Sequence, residues 1–216
     1  LASRAEISAR LGGHLPGKRC DLHFPREKGR WEAERLLRQC ELDAAEVAAA
    51  LDLPDPPRVR VFLYRDEAEK RHLTGAGRTA FAKPWLGEVP LSDEGPSHPL
   101  LRHELVHAVA AGLAPGPLQV PARHWFWVRM GLVEGLAVAL EPPRGEFTVH
   151  EWARAMRDLG LMPPASSLVE PSGFLATAPA RAYVAAGSFL AFLLERHGPA
   201  PVRRLYGGAG FAAALG

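Results

Sequence analysis

Long hydrophobic runs are missing from this 216-residue sequence. Its longest apolar stretch, residues 125–140, is interrupted by Arg129 and Glu134, whereas a membrane-spanning helix needs about 18 or more consecutive apolar residues. We therefore expect no membrane span in these residues and interpret the stretch as a buried helix. Internal repeats and low-complexity linkers are also missing, which favours one continuous domain.

The sequence also has little net charge and few cysteines. The net charge at pH 7 is only +2, and the basic residues are scattered, so the sequence lacks the basic patch typical of nucleic-acid-binding proteins. We expect no nucleic-acid partner. The two cysteines, Cys20 and Cys40, do not form a CxxC pair. They are able to form one disulfide, but the sequence leaves their pairing open.

What the sequence does contain is 47% hydrophobic residues in strand and helix patterns. Residues 20–24, 59–64 and 86–91 are predicted strands, and Pro90 predicts that the last one is an edge strand. Helices are predicted at about 31–51, 99–112, 122–141, 148–159 and 179–197.

Because strands precede helices, we predict an α+β fold. A small N-terminal mixed sheet, with its edge strand beside the 99–112 helix, is followed by a mainly helical C-terminal half. The boundary between these two parts of one domain is expected near residue 95, so that they comprise about 1–95 and about 96–216.

Residues 103–107 read His-Glu-Leu-Val-His, an HExxH sequence. Residues four apart share one face of a helix, so His103 and His107 point to the same spot, with Glu104 beside them. Two imidazoles bind zinc, and the glutamate can take a proton from a water molecule that attacks a carbonyl. The sequence therefore predicts His103 and His107 as Zn²⁺ ligands and Glu104 as the catalytic base.

Chance is an alternative explanation, because only three of the five positions in this pattern are fixed. In that case a partly exposed helix would carry two unconnected histidines. The apolar neighbours Leu101, Leu105 and Val106 favour a buried helix instead.

The extended HExxHxxGxxH sequence of metzincins is absent, so a third ligand must come from elsewhere in the chain. Glu134 is the best candidate, because it lies in a predicted helix that is apolar around almost its whole circumference. A lone carboxylate is costly there unless it is paired or bound to a metal. The alternative is an ion pair of Glu134 with Arg129 or a histidine. Glu141 and Glu146 are weaker ligand candidates.

Gly131 and Gly135 flank Glu134 in this predicted helix. A glycine in a helix interior is about 1 kcal/mol less favourable than alanine. We interpret both glycines as positions where the zinc-binding helix approaches closely, with tolerated glycines as the alternative.

The HELVH sequence, followed by Glu-Gly-Leu-Ala at 134–137, resembles the gluzincin clan of zinc peptidases, and specifically the peptidase-MA-like family. Residues 59–64 resemble the family's strand before the active-site helix, and residues 182–198 resemble its later helix. The resemblance covers about residues 55–216.

This resemblance implies a zincin-like fold and a peptide or protein substrate. It implies one Zn²⁺ ion held by His103, His107 and Glu134, with Glu104 as base. It also implies an extracytoplasmic or membrane-anchored location, although no targeting signal is visible.

Tyr183 occupies the tyrosine position of the later family helix, which makes it a second candidate catalytic residue. Its phenol could hydrogen-bond the oxyanion of a tetrahedral intermediate. The alternative is a core tyrosine that packs with Phe189 and Leu190, and His150 is a rival donor.

Two departures from the best-known gluzincins refine the prediction. Val138 stands four residues after Glu134, where an Asp would orient a histidine ligand, so another group must orient His103. No Gly-x-Met-x-Asn sequence precedes HELVH, which favours an endopeptidase over an aminopeptidase.

We therefore expect a zinc-dependent metallopeptidase. The first alternative is a catalytically inactive relative that binds peptides or a partner protein. The second is a zinc-dependent amidohydrolase that acts on non-peptide amides.

The sequence begins without Met and stops where family members continue, so we expect a piece of a longer protein. The sequence leaves the oligomeric state open.

Overall fold

The buried run of β-branched and aromatic residues at Val59–Tyr64 forms an inner strand of a four-stranded sheet in the computed structural model. The strands are β1 (Gly12–Pro16), β2 (Cys20–Pro25), β3 (Val59–Tyr64) and β4 (Glu88–Ser92), in that order across the sheet. β1 is antiparallel to β2, whereas β2, β3 and β4 run parallel. The three predicted strands are confirmed, and β4 lies at the edge.

Helices connect the parallel strands, because parallel neighbours cannot be joined by a tight turn. α1 (Arg4–Leu11) precedes the sheet, α2 (Arg30–Ala50) joins β2 to β3, and α3 (Glu67–Thr74) lies between β3 and β4 in the chain. α4 (Leu101–Val109) packs against β4. The predicted α+β class, with a mixed sheet and an edge strand beside the HExxH helix, is therefore confirmed.

A disulfide between Cys20 and Cys40 ties β2 to α2. The two residues are 0% and 1% exposed, and their Cα atoms are 6.1 Å apart, within the usual range for a disulfide. The buried face of α2 around Cys40 is made mostly of small and aliphatic residues at helical spacing, including Ala33, Leu36, Ala44 and Val47. The crosslink is thus part of the core.

The structure describes residues 2–79, 81–124, 127–143, 145–164, 167–168 and 171–216. The chain forms two compact units, the first of Leu1–Ala48 and Pro54–Val109, the second of Ala49–Leu53 and Ala110–Gly216. Across these described ranges, every helix is too short or too polar to span a membrane.

The second unit is mainly helical, as predicted. Its helices are α5 (Met130–Leu140), α6 (Val149–Asp158), α7 (Pro171–Ala176), α8 (Pro179–His197), α9 (Pro199–Tyr206) and α10 (Phe211–Leu215). α8 is central, because α5, α6, α7 and α9 all contact it. A core cluster joins Ala182, Ala185 and Ala186 of this helix to Leu168 and Phe174.

The predicted helix at 122–141 is wrong in its first part. Ala122–Arg123 and Trp127–Val128 form two short antiparallel strands, β5 and β6, and α5 begins only at Met130. The N–H of Arg129 donates to the carbonyl of Pro121 and so closes this ribbon. Apolar spacing alone does not distinguish a short strand from a helix. Trp125 and Phe126 lie outside the described residues.

Glycines in α5 permit close approach of neighbouring backbone. A Cβ atom at Gly135 would lie 2.8 Å from the carbonyl oxygen of Ala186 in α8. A Cβ atom at Gly131 would clash with the carbonyl oxygen of Leu168. The prediction that both glycines face the zinc-binding helix is therefore wrong, since the nearest atoms belong to Leu168 and Ala186.

The double variant Cys20→Ala/Cys40→Ala is expected to unfold more easily than wild type. The disulfide joins residues 20 positions apart, and a crosslink of that span stabilises a protein by roughly 3 kcal/mol, mainly by restricting the unfolded chain. Urea denaturation followed by circular dichroism measures the loss, and reduced wild type should lose a similar amount. An unchanged free energy of unfolding would contradict the structural role of this disulfide.

Gly135→Ala is expected to lower the free energy of unfolding by about 1–3 kcal/mol, because the added methyl group forces α5 and α8 apart. Gly112→Ala is the matched control, since a Cβ atom at Gly112 meets no atom within 4 Å. Thermal unfolding of both variants measures the difference. If the two variants unfold at the same temperature, the close approach at Gly135 does not limit stability.

Candidate metal centre

The HExxH sequence lies in α4 and places its two histidines on one helix face. The imidazole rings of His103 and His107 have centroids 4.9 Å apart and stand nearly perpendicular, at 81°. His103 is 8% exposed, and His107 is partly buried with its Nδ1 atom shielded from solvent. The neighbours Leu101 and Leu105 are fully buried. The alternative of two unconnected histidines on a partly exposed helix is therefore wrong.

Glu134 of α5 belongs to the same group. It is partly buried, and the residues on either side of it in the helix, including Val133 and Gly135, are buried. The ligand atoms offered by His103, His107 and Glu134 all lie within 4.8 Å of one another. Three side chains of these types at these distances form a group that could bind a metal ion.

The donor set fits zinc. Two imidazoles and one glutamate are a common ligand set of catalytic zinc sites, in which a fourth position is left for water or substrate. Ligand atoms around a tetrahedral zinc ion lie roughly 3.3 Å apart, which is compatible with the 4.8 Å limit on the separations within this group. Magnesium and calcium prefer sets made only of oxygen atoms, and the two histidines disfavour them.

The carboxylate of Glu104 has a buried cation in its neighbourhood. Glu104 is 4% exposed and Lys70 of α3 is 2% exposed. Burial lowers the pKa of Lys70, and the negative charge of Glu104 acts in the opposite direction. The ammonium group also donates a hydrogen bond to the Thr79 carbonyl at 2.9 Å. Lys70 is missing from the predicted site because the sequence around it is polar, and only tertiary packing buries it.

Tyr206 of α9 is a second residue that the sequence did not predict. It is 3% exposed, and its hydroxyl donates to the carbonyl oxygen of Leu132 in α5 at 3.4 Å. Burial, together with the negative charge of Glu134, raises the pKa of Tyr206 well above its ordinary value. Tyr206 is therefore a neutral phenol that contacts the helix of the third candidate ligand.

Tyr183 of α8 borders a cavity of about 470 Å³. Its ring packs against Phe174, with centroids 5.6 Å apart and an angle of 49°. The other walls are mostly apolar and include Val138, Phe147, Val149, Trp152, Pro179 and Val184. Contact between the Tyr183 phenol and a reaction oxyanion stays a prediction.

The alternative donor His150 and the alternative ligands Glu141 and Glu146 lie in different surroundings. His150 borders the same cavity, and its Nδ1 and Nε2 atoms are 2.9 Å from the Ser188 hydroxyl and 3.2 Å from a Glu195 carboxylate oxygen. Glu141 ends α5 as its C-cap, and Glu146 is exposed. In the described ranges, neither Glu141 nor Glu146 belongs to a group of potential metal ligands.

No protein-family model, curated protein or solved structure matches this chain. Membership of the peptidase-MA-like family therefore stays a prediction. What the candidate site is able to do follows from its own residues.

Glu134→Ala is expected to retain less zinc than wild type, because it removes one of three ligands. Glu141→Ala, which removes a carboxylate two turns further along the chain, is the control and should retain as much zinc as wild type. Zinc content after dialysis against a weak chelator, measured by atomic emission, makes the comparison. Equal zinc in Glu134→Ala and wild type would exclude Glu134 as a ligand.

Proposed function

We propose that this protein is a zinc-dependent metallopeptidase of the gluzincin type, in which His103, His107 and Glu134 hold the ion and Glu104 is the general base. The observation that carries the proposal is the group formed by the first three side chains, with ligand atoms within 4.8 Å of one another. Glu104 adjoins this group as a buried carboxylate. An HExxH helix with a later glutamate supplies the ligands and the base that zinc peptidases use.

A zinc ion bound there would lower the pKa of a water molecule toward about 7 and would polarise a peptide carbonyl group. The proton transfers belong to Glu104. It accepts the proton that the water loses as the water oxygen bonds to the peptide carbon. It then donates this proton to the nitrogen atom as the C–N bond breaks, which regenerates the carboxylate.

Lys70 supports the role of Glu104. Its buried ammonium group interacts favourably with the Glu104 carboxylate, and a nearby positive charge favours the ionised form of a carboxylate. Only that form can accept a proton. We regard Lys70 as a positioning residue, because it acts through Glu104.

The apolar cavity is a candidate pocket for a substrate side chain, and its position supports the proposed role of Tyr183. Val138 follows Glu134 by one turn of α5, and both Val138 and Tyr183 border this cavity. A helical turn advances about 5.4 Å, so the cavity begins close to the third ligand along α5. The Tyr183 phenol is accordingly the candidate donor to the oxyanion.

An endopeptidase acting on extended peptides agrees best with these features. β4 is an edge strand that packs against α4, and an extended peptide can add to such an edge as a further strand.

The extracytoplasmic location that the family resemblance implies is supported by the Cys20–Cys40 disulfide, because disulfides persist mainly in oxidising compartments.

Glu104→Gln is expected to reduce cleavage of casein or a peptide library by at least about 100-fold, because the amide cannot accept the proton. Its zinc content should equal that of wild type, since both ligand histidines remain. Glu27→Gln is the matched control, as Glu27 is 71% exposed and should leave cleavage unchanged.

Each alternative function has its own outcome in this experiment. Undiminished cleavage by Glu104→Gln would refute the assigned mechanism. A zinc-loaded wild type that cleaves no peptide would favour the inactive module that binds peptides or a partner protein. Hydrolysis restricted to non-peptide amides would favour the amidohydrolase.

A further inference from the structure

Three side chains of metal-ligand type share one face of the β1–β2 hairpin. His14 and His23 are direct cross-strand partners, and Asp21 precedes His23 by two positions, so all three side chains emerge on the same side of the sheet. Their ligand atoms all lie within 4.8 Å of one another. Within the described ranges, this is the one such group besides that of α4 and α5.

Both imidazoles face the same carboxylate. Nε2 of His14 is 2.7 Å from Oδ1 of Asp21, and Nε2 of His23 is 3.7 Å from Oδ2. These separations lie on either side of the roughly 3.3 Å expected between ligand atoms of a tetrahedral zinc ion. Small rotations would therefore bring three ligand atoms to coordination distance.

A stack of rings holds the histidines in place. The His14 and His23 rings have centroids 4.6 Å apart at 21°, and His23 lies 4.9 Å from Phe62 of β3 at 18°. Phe62 is only 2% exposed. His23 is thus packed between a core residue and its partner, which restricts both imidazoles to orientations near those observed.

Hydrogen bonds and a disulfide hold the backbone immediately before Asp21. The backbone N–H groups of Arg19 and Cys20 both donate to the Glu41 carboxylate at 2.8 Å, and the disulfide ties Cys20 to Cys40 of α2. Asp21 follows directly, so its backbone position is restricted by these contacts with the core. A metal ion would meet a largely preformed set of ligands.

We propose that His14, Asp21 and His23 form a second metal site, which takes a divalent cation of the zinc class. Two imidazoles and one carboxylate are a set that zinc accepts, and the 48% exposure of the His14 side chain leaves the ion open to solvent and a further ligand. The ion would clamp edge strand β1 to β2. Arg58, 3.5 Å from Asp21, opposes a cation and is expected to weaken binding at this site.

The test is a titration of chelator-treated protein with Zn²⁺, read as ions bound per chain by calorimetry. Wild type is expected to bind two ions, and His103→Ala/His107→Ala one. Adding His14→Ala/His23→Ala to that variant should abolish the remaining ion, and Asp21→Asn, which keeps the side-chain shape, should weaken it. His72→Ala, which removes an exposed histidine of α3, is the control and should change nothing.

Two results would overturn the second site. One is a His103→Ala/His107→Ala variant that folds and binds no zinc; the other is zinc binding that survives when His14→Ala/His23→Ala is added to that variant. Should the His103→Ala/His107→Ala variant fail to fold, the comparison of wild type with His14→Ala/His23→Ala decides, with two ions against one supporting the site and equal numbers refuting it. None of these readouts requires catalysis, so failure of the proposed function would be seen separately.

Discussion

A carboxylate on an otherwise apolar helix is the constraint on which the candidate site depends. Glu134 lies in α5 between the buried residues Val133 and Gly135, and a partly buried negative charge is unfavourable without compensation. The two imidazoles of the group, together with a bound metal ion, would compensate it. The close packing of α5 against α8, which Gly135 permits at the Ala186 carbonyl, determines where that carboxylate lies.

The acidic groups of the site each have a buried polar neighbour on another helix of their own unit. In the first unit, Lys70 of α3 interacts electrostatically with Glu104. In the second unit, the negative charge of Glu134 contributes to the raised pKa of Tyr206 of α9. Burial strengthens such interactions, because the surroundings screen charge less than water does. A cation beside the proposed base is consistent with its role as a proton acceptor, and a neutral phenol adds no further charge near the proposed ligand.

The two groups of potential metal ligands in this chain are built differently. In α4 the histidines are four residues apart on one helix and largely buried, which suits chemistry that must exclude bulk water. In the β1–β2 hairpin they face each other across two strands, and His14 is half exposed. An exposed group of ligands that joins two strands suits a structural clamp better than hydrolysis.

Local spacing in the sequence determined that His103, Glu104 and His107 share one helix, and that 59–64 and 20–24 are strands. These features depend on neighbours within a few positions, which the sequence displays directly. Tertiary structure alone decided that Ala122–Arg123 pairs with Trp127–Val128, that Lys70 and Tyr206 are buried, and that His14 pairs with His23. Strand register and burial depend on contacts between distant parts of the chain, and residue spacing carries no information about those contacts.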